Sequence, residues 1–279
     1  GAIAIADVDG DGARDVVIGG DGEVAVLLNT PGGLLGAPVL SPSGSSANHI
    51  VASDLDGDGH DDVVLIDYWA GTAEVLTSDG ADGLSSAGVF PVGWNPAQAA
   101  LADLDGDGYT DLGVANASDD DHAVFLNNGD GTFGGGTRYT VSPDPTSIRF
   151  ADIDADGDMD LVGTERVFDA IRVRRNDGTG TFGPTEFYPG GSGPFDMAIV
   201  DADLDGDLDV VTIGRMFDSL TVVRNAASGP APCTRADLAE PFGVLDLFDV
   251  VAFIGAFQTG DWLINIAANK DEQWVLLSD

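Results

Sequence analysis

The residues best placed to do chemistry are aspartates. Asp7, Asp9, Asp11 and Asp15 occupy positions 1, 3, 5 and 9 of one short segment. The spacing returns at Asp54, Asp56, Asp58 and Asp62, and again at Asp103, Asp105, Asp107 and Asp111. It recurs at Asp152, Asp154, Asp156 and Asp160 and at Asp201, Asp203, Asp205 and Asp209. Alternate carboxylates followed by a glycine at position 6 curl the backbone around one point, the arrangement that suits a hard cation. Calcium takes about 6–8 oxygens at roughly 2.3–2.6 Å, so four carboxylates, a carbonyl from position 7 and water would complete a shell. One Ca2+ per repeat is the expectation. Position 7 is Ala13, His60, Tyr109, Asp158 or Asp207, which fits a residue lending only its backbone, and His60 is expected to face solvent. Ordinary polar turns would scatter Asp and Asn among turn positions, whereas all four positions are Asp in every repeat.

The first half of a helical calcium hand has the same pattern, but that loop also needs a Glu at position 12. Here position 12 is Ile18, Leu65, Val114, Gly163 and Thr212, and flanks such as Asp15-Val-Val-Ile-Gly19 are β-branched. The loops are therefore expected in β-hairpins.

Their starting residues are 47, 49, 49 and 49 apart. A second landmark follows each loop, ending at Asn29, Ser78, Asn127, Asn176 and Asn225. A third, Gly-Thr-Phe at 131–133 and 180–182, is echoed by Leu34 and Leu84 and marks a turn into a last short strand. Apolar runs of four to six residues, bounded by Gly, Asp, Asn and Pro, read as four strands per period. One four-stranded antiparallel sheet per repeat of this length is a propeller blade. The fold expected is all-β, with five blades in residues 1–225. The fifth repeat runs into an Ala, Ser, Gly and Pro linker where its fourth strand should be, which favours these blades being part of a larger ring.

The segments Ala102-Asp-Leu-Asp-Gly-Asp-Gly-Tyr-Thr-Asp-Leu112 and Phe125-Leu-Asn-Asn-Gly-Asp-Gly-Thr-Phe133 resemble the FG-GAP or VCBS repeats of integrin-like β-propellers. The resemblance implies calcium in each blade's first hairpin, extracellular or cell-surface residence and usually seven blades. It implies no single activity.

Composition agrees with a cation-binding chain. With 48 acidic against 11 basic side chains the net charge is -37. Phosphate binding needs clustered Lys and Arg, so nucleic acid and anionic membranes are disfavoured. Such self-repulsion opposes a compact state, so the acid groups need either neutralising ions or a halotolerant surface role. Cys233 is the only cysteine, so no intrachain disulfide is available. No apolar run is long enough for a membrane span. The chain opens mid-pattern at Gly1-Ala2-Ile3 and reads as a mature or truncated piece.

Beyond the blades the expectation is a linker over 226–236, a helical segment over 237–260 and a tail over 261–279. Leu247, Val250, Val251, Ile254 and Phe257 follow helical spacing, with Asp246 as N-cap. Gly243-Val-Leu-Asp-Leu-Phe-Asp249 resembles the end of a dockerin loop of the kind that closes many secreted planctomycete proteins, and implies a cohesin-like or other surface partner. Ala239, Pro241 and Phe242 stand where calcium ligands would be expected. The plainer reading is an amphipathic helix that packs on the propeller or meets a partner.

Paired acids cleave glycosides, but the repeated carboxylates are accounted for by metal. His49, His60 and His122 occupy unrelated repeat positions, and no Ser, His and Asp constellation is suggested. The expectation is a non-enzymatic adhesion or ligand-binding module for a protein or glycan at the cell surface or matrix. Tyr68, Trp69 and Trp94 are the candidates for stacking on sugar rings. The alternative is the scaffold part of a polysaccharide-degrading enzyme.

Overall fold

Val, Ile and Leu runs on either side of each Asp loop are long enough for one strand each, and the loop reverses the chain between them. The computed structural model describes residues 1–30, 33–80, 83–215 and 219–225, together with two short paired strands in the tail. The first blade contains β1 (Ala2–Ala6), β2 (Asp15–Gly19), β3 (Asp21–Leu27) and, after the small ribbon of β4 (Asn29–Thr30) and β5 (Leu34–Leu35), β6 (Val39–Ser46). Blade two has β7 (His49–Ser53), β8 (Asp62–Asp67), β9 (Thr72–Ser78) and β10 (Leu84–Pro91). Blade three has β11 (Pro96–Ala102), β12 (Asp111–Asn116), β13 (Asp121–Phe125) and β14 (Thr137–Thr140). Blade four has β15 (Pro145–Ala151), β16 (Asp160–Glu165), β17 (Ala170–Asn176) and β18 (Phe182–Pro189). Blade five has β19 (Pro194–Val200), β20 (Asp209–Gly214) and β21 (Ser219–Val223). The tail strands are β22 (Ile264–Asn265) and β23 (Trp274–Val275).

Every blade is an antiparallel meander with its strands in chain order, four-stranded in blades one to four and, among the described residues, three-stranded in blade five. The four-strand reading of the repeat is borne out, and so are strands on both sides of each Asp loop. The expected linker, dockerin-like helical segment and most of the tail lie outside the described residues. Among the described residues no helix is long and apolar enough to cross a membrane.

First strands contact first strands in order, β1 to β7 to β11 to β15 to β19, so the blades fan around an axis lined by them. In blades two to four the second strands are buried on both faces; all six residues of β8, β12 and β16 are buried. That explains their continuous apolar runs, since alternation appears only where one face meets water. Four apolar clusters form the core, one in each seam between successive blades. Val17, Val24 and Val26 meet Ile50, Val63, Leu65 and Leu76 in the first. Val64, Ile66 and Val75 meet Leu112 and Phe125 in the second.

The seams are fitted by size exchange. A side chain at Gly113 would collide with Phe150 of the next blade, and one at Gly163 would collide with His122 of the preceding blade. His122 is fully buried with both ring nitrogens unpaired. Burial, with Arg172 and Arg174 nearby, holds its pKa down at about 3. Arg172 pairs with buried Glu165 and stacks over Phe187.

A polar tie crosses each seam beside the Asp loop. The landmark side chain of one blade donates to the carbonyl at position 2 of the preceding loop. Ser78 reaches Val8 at 2.7 Å, Asn127 reaches Leu55 at 2.8 Å, Asn176 reaches Leu104 at 2.7 Å and Asn225 reaches Ile153 at 2.5 Å. A turn glycine from the third landmark, Gly131 or Gly180, donates to the same carbonyl at 3.1 or 2.9 Å. Removing one partner of a buried hydrogen bond leaves the other unsatisfied. Asn176→Ala should therefore cost about 1–3 kcal/mol in urea unfolding, whereas Asn128→Ala, at an exposed turn bond to Thr132, should stay within about 0.5 kcal/mol.

Candidate functional site

Five Asp loops sit at one end of the blades, each between a blade's first and second strands. Three carboxylate oxygens in each loop lie within 4.8 Å of one another: those of Asp7, Asp9 and Asp15; Asp54, Asp56 and Asp58; Asp103, Asp105 and Asp111; Asp152, Asp154 and Asp156; and Asp201, Asp203 and Asp209. Oxygens around a calcium ion are separated by at most about 5 Å, twice the metal–oxygen distance. Oδ1 of Asp7 and Oδ1 of Asp203 are buried without a hydrogen-bond partner, as expected of atoms turned toward a cation. The donor set is entirely carboxylate oxygen, which suits a hard divalent ion.

The four aspartates of a loop hold it differently. Position 1 accepts from the glycine at position 6, as Asp54 does from Gly59 at 3.0 Å and Asp103 from Gly108 at 3.0 Å. Position 5 accepts from position 7, as Asp107 does from Tyr109 at 2.9 Å. Position 9 is buried in all five loops, at Asp15, Asp62, Asp111, Asp160 and Asp209. Its Oδ2 takes the amide of position 2 and its Oδ1 takes the landmark amide. For Asp111 these are Leu104 and Asn127, both at 2.8 Å, and for Asp62 they are Leu55 at 3.0 Å and Ser78 at 2.9 Å. Position 4 has a left-handed backbone in every loop. Gly10, Gly57 and Gly106 occupy it in the first three, and Ala155 and Leu204 adopt it at φ 60° and 61°; this requirement went unread in the sequence.

One sequence expectation needs correction. His60 does not face solvent: it is half-buried, wedged where side chains at Gly10 and Gly80 would overlap its ring. Tyr109, one period later, lies equally close to Gly129 and touches the Gly57 position. In the second and third loops position 7 thus adds a packing side chain as well as a backbone, spacing the loop against the one before it.

His49 is one member of a periodic set of differing residue types. His49, Gln98, Ser147 and Asp196 stand 49 residues apart and face the same register point on β7, β11, β15 and β19, opposite Ile66, Ala115, Thr164 and Ile213. Ser147 donates to Gln98 at 2.5 Å and to Asp196 at 3.1 Å, Gln98 donates to Asp196 at 3.2 Å, and Arg149 donates to Asp196 at 3.2 Å. His49 accepts from the Ala99 amide through Nδ1 at 3.3 Å; burial, then Arg149, brings its pKa to about 4 against the opposing pull of Asp196. This polar belt stitches the inner strands, and its exact period was the signal that could have found it.

At the other end of the blades, second-to-third-strand loops meet fourth-to-first-strand loops. Asn95 donates to the Tyr68 carbonyl at 3.2 Å, Ser118 donates to Asn95 at 2.5 Å, and the Trp94 amide donates to Asp119 at 2.9 Å. Here the side chains of Trp69, Trp94 and Phe168 are 76%, 66% and 61% exposed. Tyr68 meets Trp69 edge-on with centroids 5.0 Å apart.

The sequence profile of FG-GAP-like repeats matches residues 7–65, 54–114 and 103–163. No curated protein matches the chain. Among solved structures, an Agrocybe aegerita lectin described by its recognition of non-reducing terminal N-acetylglucosamine is similar at 21% identity and a TM-score of 0.61, over 81% of this chain and 63% of that one. BBS1N, in complex with ARL6DN, is similar at 13% identity and a TM-score of 0.58, over 82% and 62%. A Lactobacillus plantarum protein is similar at 18% identity and a TM-score of 0.57, over 78% and 65%. The chain thus spans somewhat under two thirds of each. At these identities the likeness is one of fold.

Burial, reinforced by the neighbouring loop carboxylates, raises Asp62 and Asp111 to about 6. A carboxyl raised in the folded state binds more protons there than in the unfolded chain, where it titrates near 3.8. Its contribution to stability is therefore full below that value and lost as pH rises through about 6. Asp111→Asn removes this dependence. In chelator, the variant's stability relative to the parent should rise between pH 5 and pH 7 in urea unfolding; a pH-independent difference would contradict a raised carboxyl.

Proposed function

Because the chain belongs to the FG-GAP-like repeat family, we propose that it is a secreted or cell-surface binding module, not an enzyme. Its Asp loops hold structural calcium and its opposite rim holds the ligand. The propeller-blade fold is consistent with a ligand-binding module. The observation that carries the finer reading is the division between its two ends. One end gathers the carboxylates; the other presents Trp69 and Trp94 beside Asn95, Ser118 and Asp119. Exposed aromatic faces with hydrogen-bonding groups at their edges suit a sugar ring, which offers C–H to the face and hydroxyls to the edge. The lectin among the structural neighbours makes glycans the first class to screen, ahead of a protein ligand of the cell surface or matrix.

Calcium would act by neutralising loop carboxylates that burial and mutual repulsion disfavour; Asp9, Asp154, Asp203 and Asp209 are also raised, burial being the largest cause. The reading that these blades belong to a larger ring is supported by their end faces. Ile3 and Ile18 on blade one, and Ile213 and Leu220 on blade five, are exposed where other blades bury the equivalent positions.

Calcium-loaded protein should be retained on a glycan column, and Trp69→Ala or Trp94→Ala should weaken retention by about tenfold, the scale of one lost stacking contact. New reducing ends or unsaturated uronates released at enzymatic rates would overturn the non-enzymatic reading. Chelation should lower the melting temperature. At calcium 100-fold above Kd, each site adds about 2.7 kcal/mol; unchanged melting in EGTA would exclude a structural ion.

A further inference from the structure

Each seam except one is closed at the Asp-loop end by an apolar side chain from the third landmark. These residues are Leu84, Phe133 and Phe182, 49 apart, in the cores of the first three seams. Each Phe meets an aromatic residue of the preceding blade. Phe133 lies 5.6 Å from Phe90 and Phe182 lies 5.5 Å from Tyr139. One period later the partner ring is Tyr188, and the residue 49 positions after Phe182 in the sequence is Ala231.

The fourth seam has a groove at this point. It is open to solvent and is lined by Ile153, Val173, Arg175, Tyr188 and Val210 among others. Those five stand one period after Leu104, Val124, Leu126, Tyr139 and Leu161, which belong to the cluster around Phe182. The groove is therefore the plug site of the fourth seam. Tyr188 is 38% exposed in it, with no ring against it among the described residues.

We propose that the groove is filled from within the chain, by a phenylalanine of residues 242–257. Three lines point to this occupant. The other seams show that the site takes a Phe or Leu side chain. The chain leaves the described blades at Asn225, itself part of the groove wall, and 54 residues follow. Seventeen residues from Asn225 to Phe242 are ample tether for a site that begins beside the first of them. Finally, that run carries Phe242, Phe248, Phe253 and Phe257 among Leu, Val and Ile at helical spacing, and such an apolar stripe needs a surface to cover it. The contact makes the C-terminal segment part of the propeller, with its anchor on blades four and five.

The test uses the full chain and limited proteolysis of residues 242–257, with folding of the blades followed by circular dichroism. Ala231→Phe restores the periodic plug and competes for the groove; Tyr188→Ala removes the ring the plug would meet. Either should expose the tail, raising its cleavage by about tenfold as the undocked population grows. One of Phe242→Ala, Phe248→Ala, Phe253→Ala and Phe257→Ala should reproduce the effect and identify the anchor. Unchanged cleavage in both groove variants would overturn the proposal. So would a parent tail cut as fast as a free peptide of its sequence, which would leave the groove to a separate partner.

Discussion

A buried carboxylate with both oxygens committed to backbone amides is the interaction on which the rest of this molecule rests. In each repeat the position-9 aspartate accepts from the second residue of its own loop and from the landmark residue of the third strand, as Asp160 does from Ile153 and Asn176 at 3.2 and 2.9 Å. It thereby fixes the loop's curl, the strand pairing beside it and the point where the next blade attaches. The position-2 carbonyl, held in place by this clamp, receives the side chain of the following blade's landmark. One side chain thus connects the geometry inside a blade to the order between blades.

The same device creates an electrostatic problem. A carboxylate out of water prefers to be neutral, and here three more stand in the same loop. Backbone amides relieve part of the cost for Asp62 and Asp111, yet both remain raised. A divalent cation, as proposed for these loops, would supply what the amides do not, since it would reward the ionised form at every position at once. A chain at -37 with its arginines largely spent on specific acids, Arg138 on Asp121 and Arg149 on Asp196, has few protein cations left over.

Much of this was legible in the sequence because the fold repeats. Strict alternation of Asp with Gly at position 6, β-branched flanks and a 49-residue period are enough to place the loops, strands and blades. What escaped was whatever depends on contacts between repeats. The left-handed backbone at position 4 was hidden because Ala155 and Leu204 break the glycine pattern there. His60 looked like a solvent-facing loop residue because nothing local shows that Gly10, 50 positions earlier in the chain, leaves room for its ring. The belt of His49, Gln98, Ser147 and Asp196 uses four residue types, so its period is invisible unless positions rather than identities are compared. His122 reads as an anomaly until Gly163 is seen to vacate the space it fills.

The account's central claim is that every Asp loop holds one calcium ion through its carboxylates. Metal analysis of extensively dialysed protein tests it most directly, comparing the parent with Asp105→Ala combined with Asp107→Ala. The account predicts about one ion per loop in the parent and one fewer in the variant, with the other loops still filled because each has its own carboxylates. An equal count in both proteins, or a parent that retains no calcium, would contradict it.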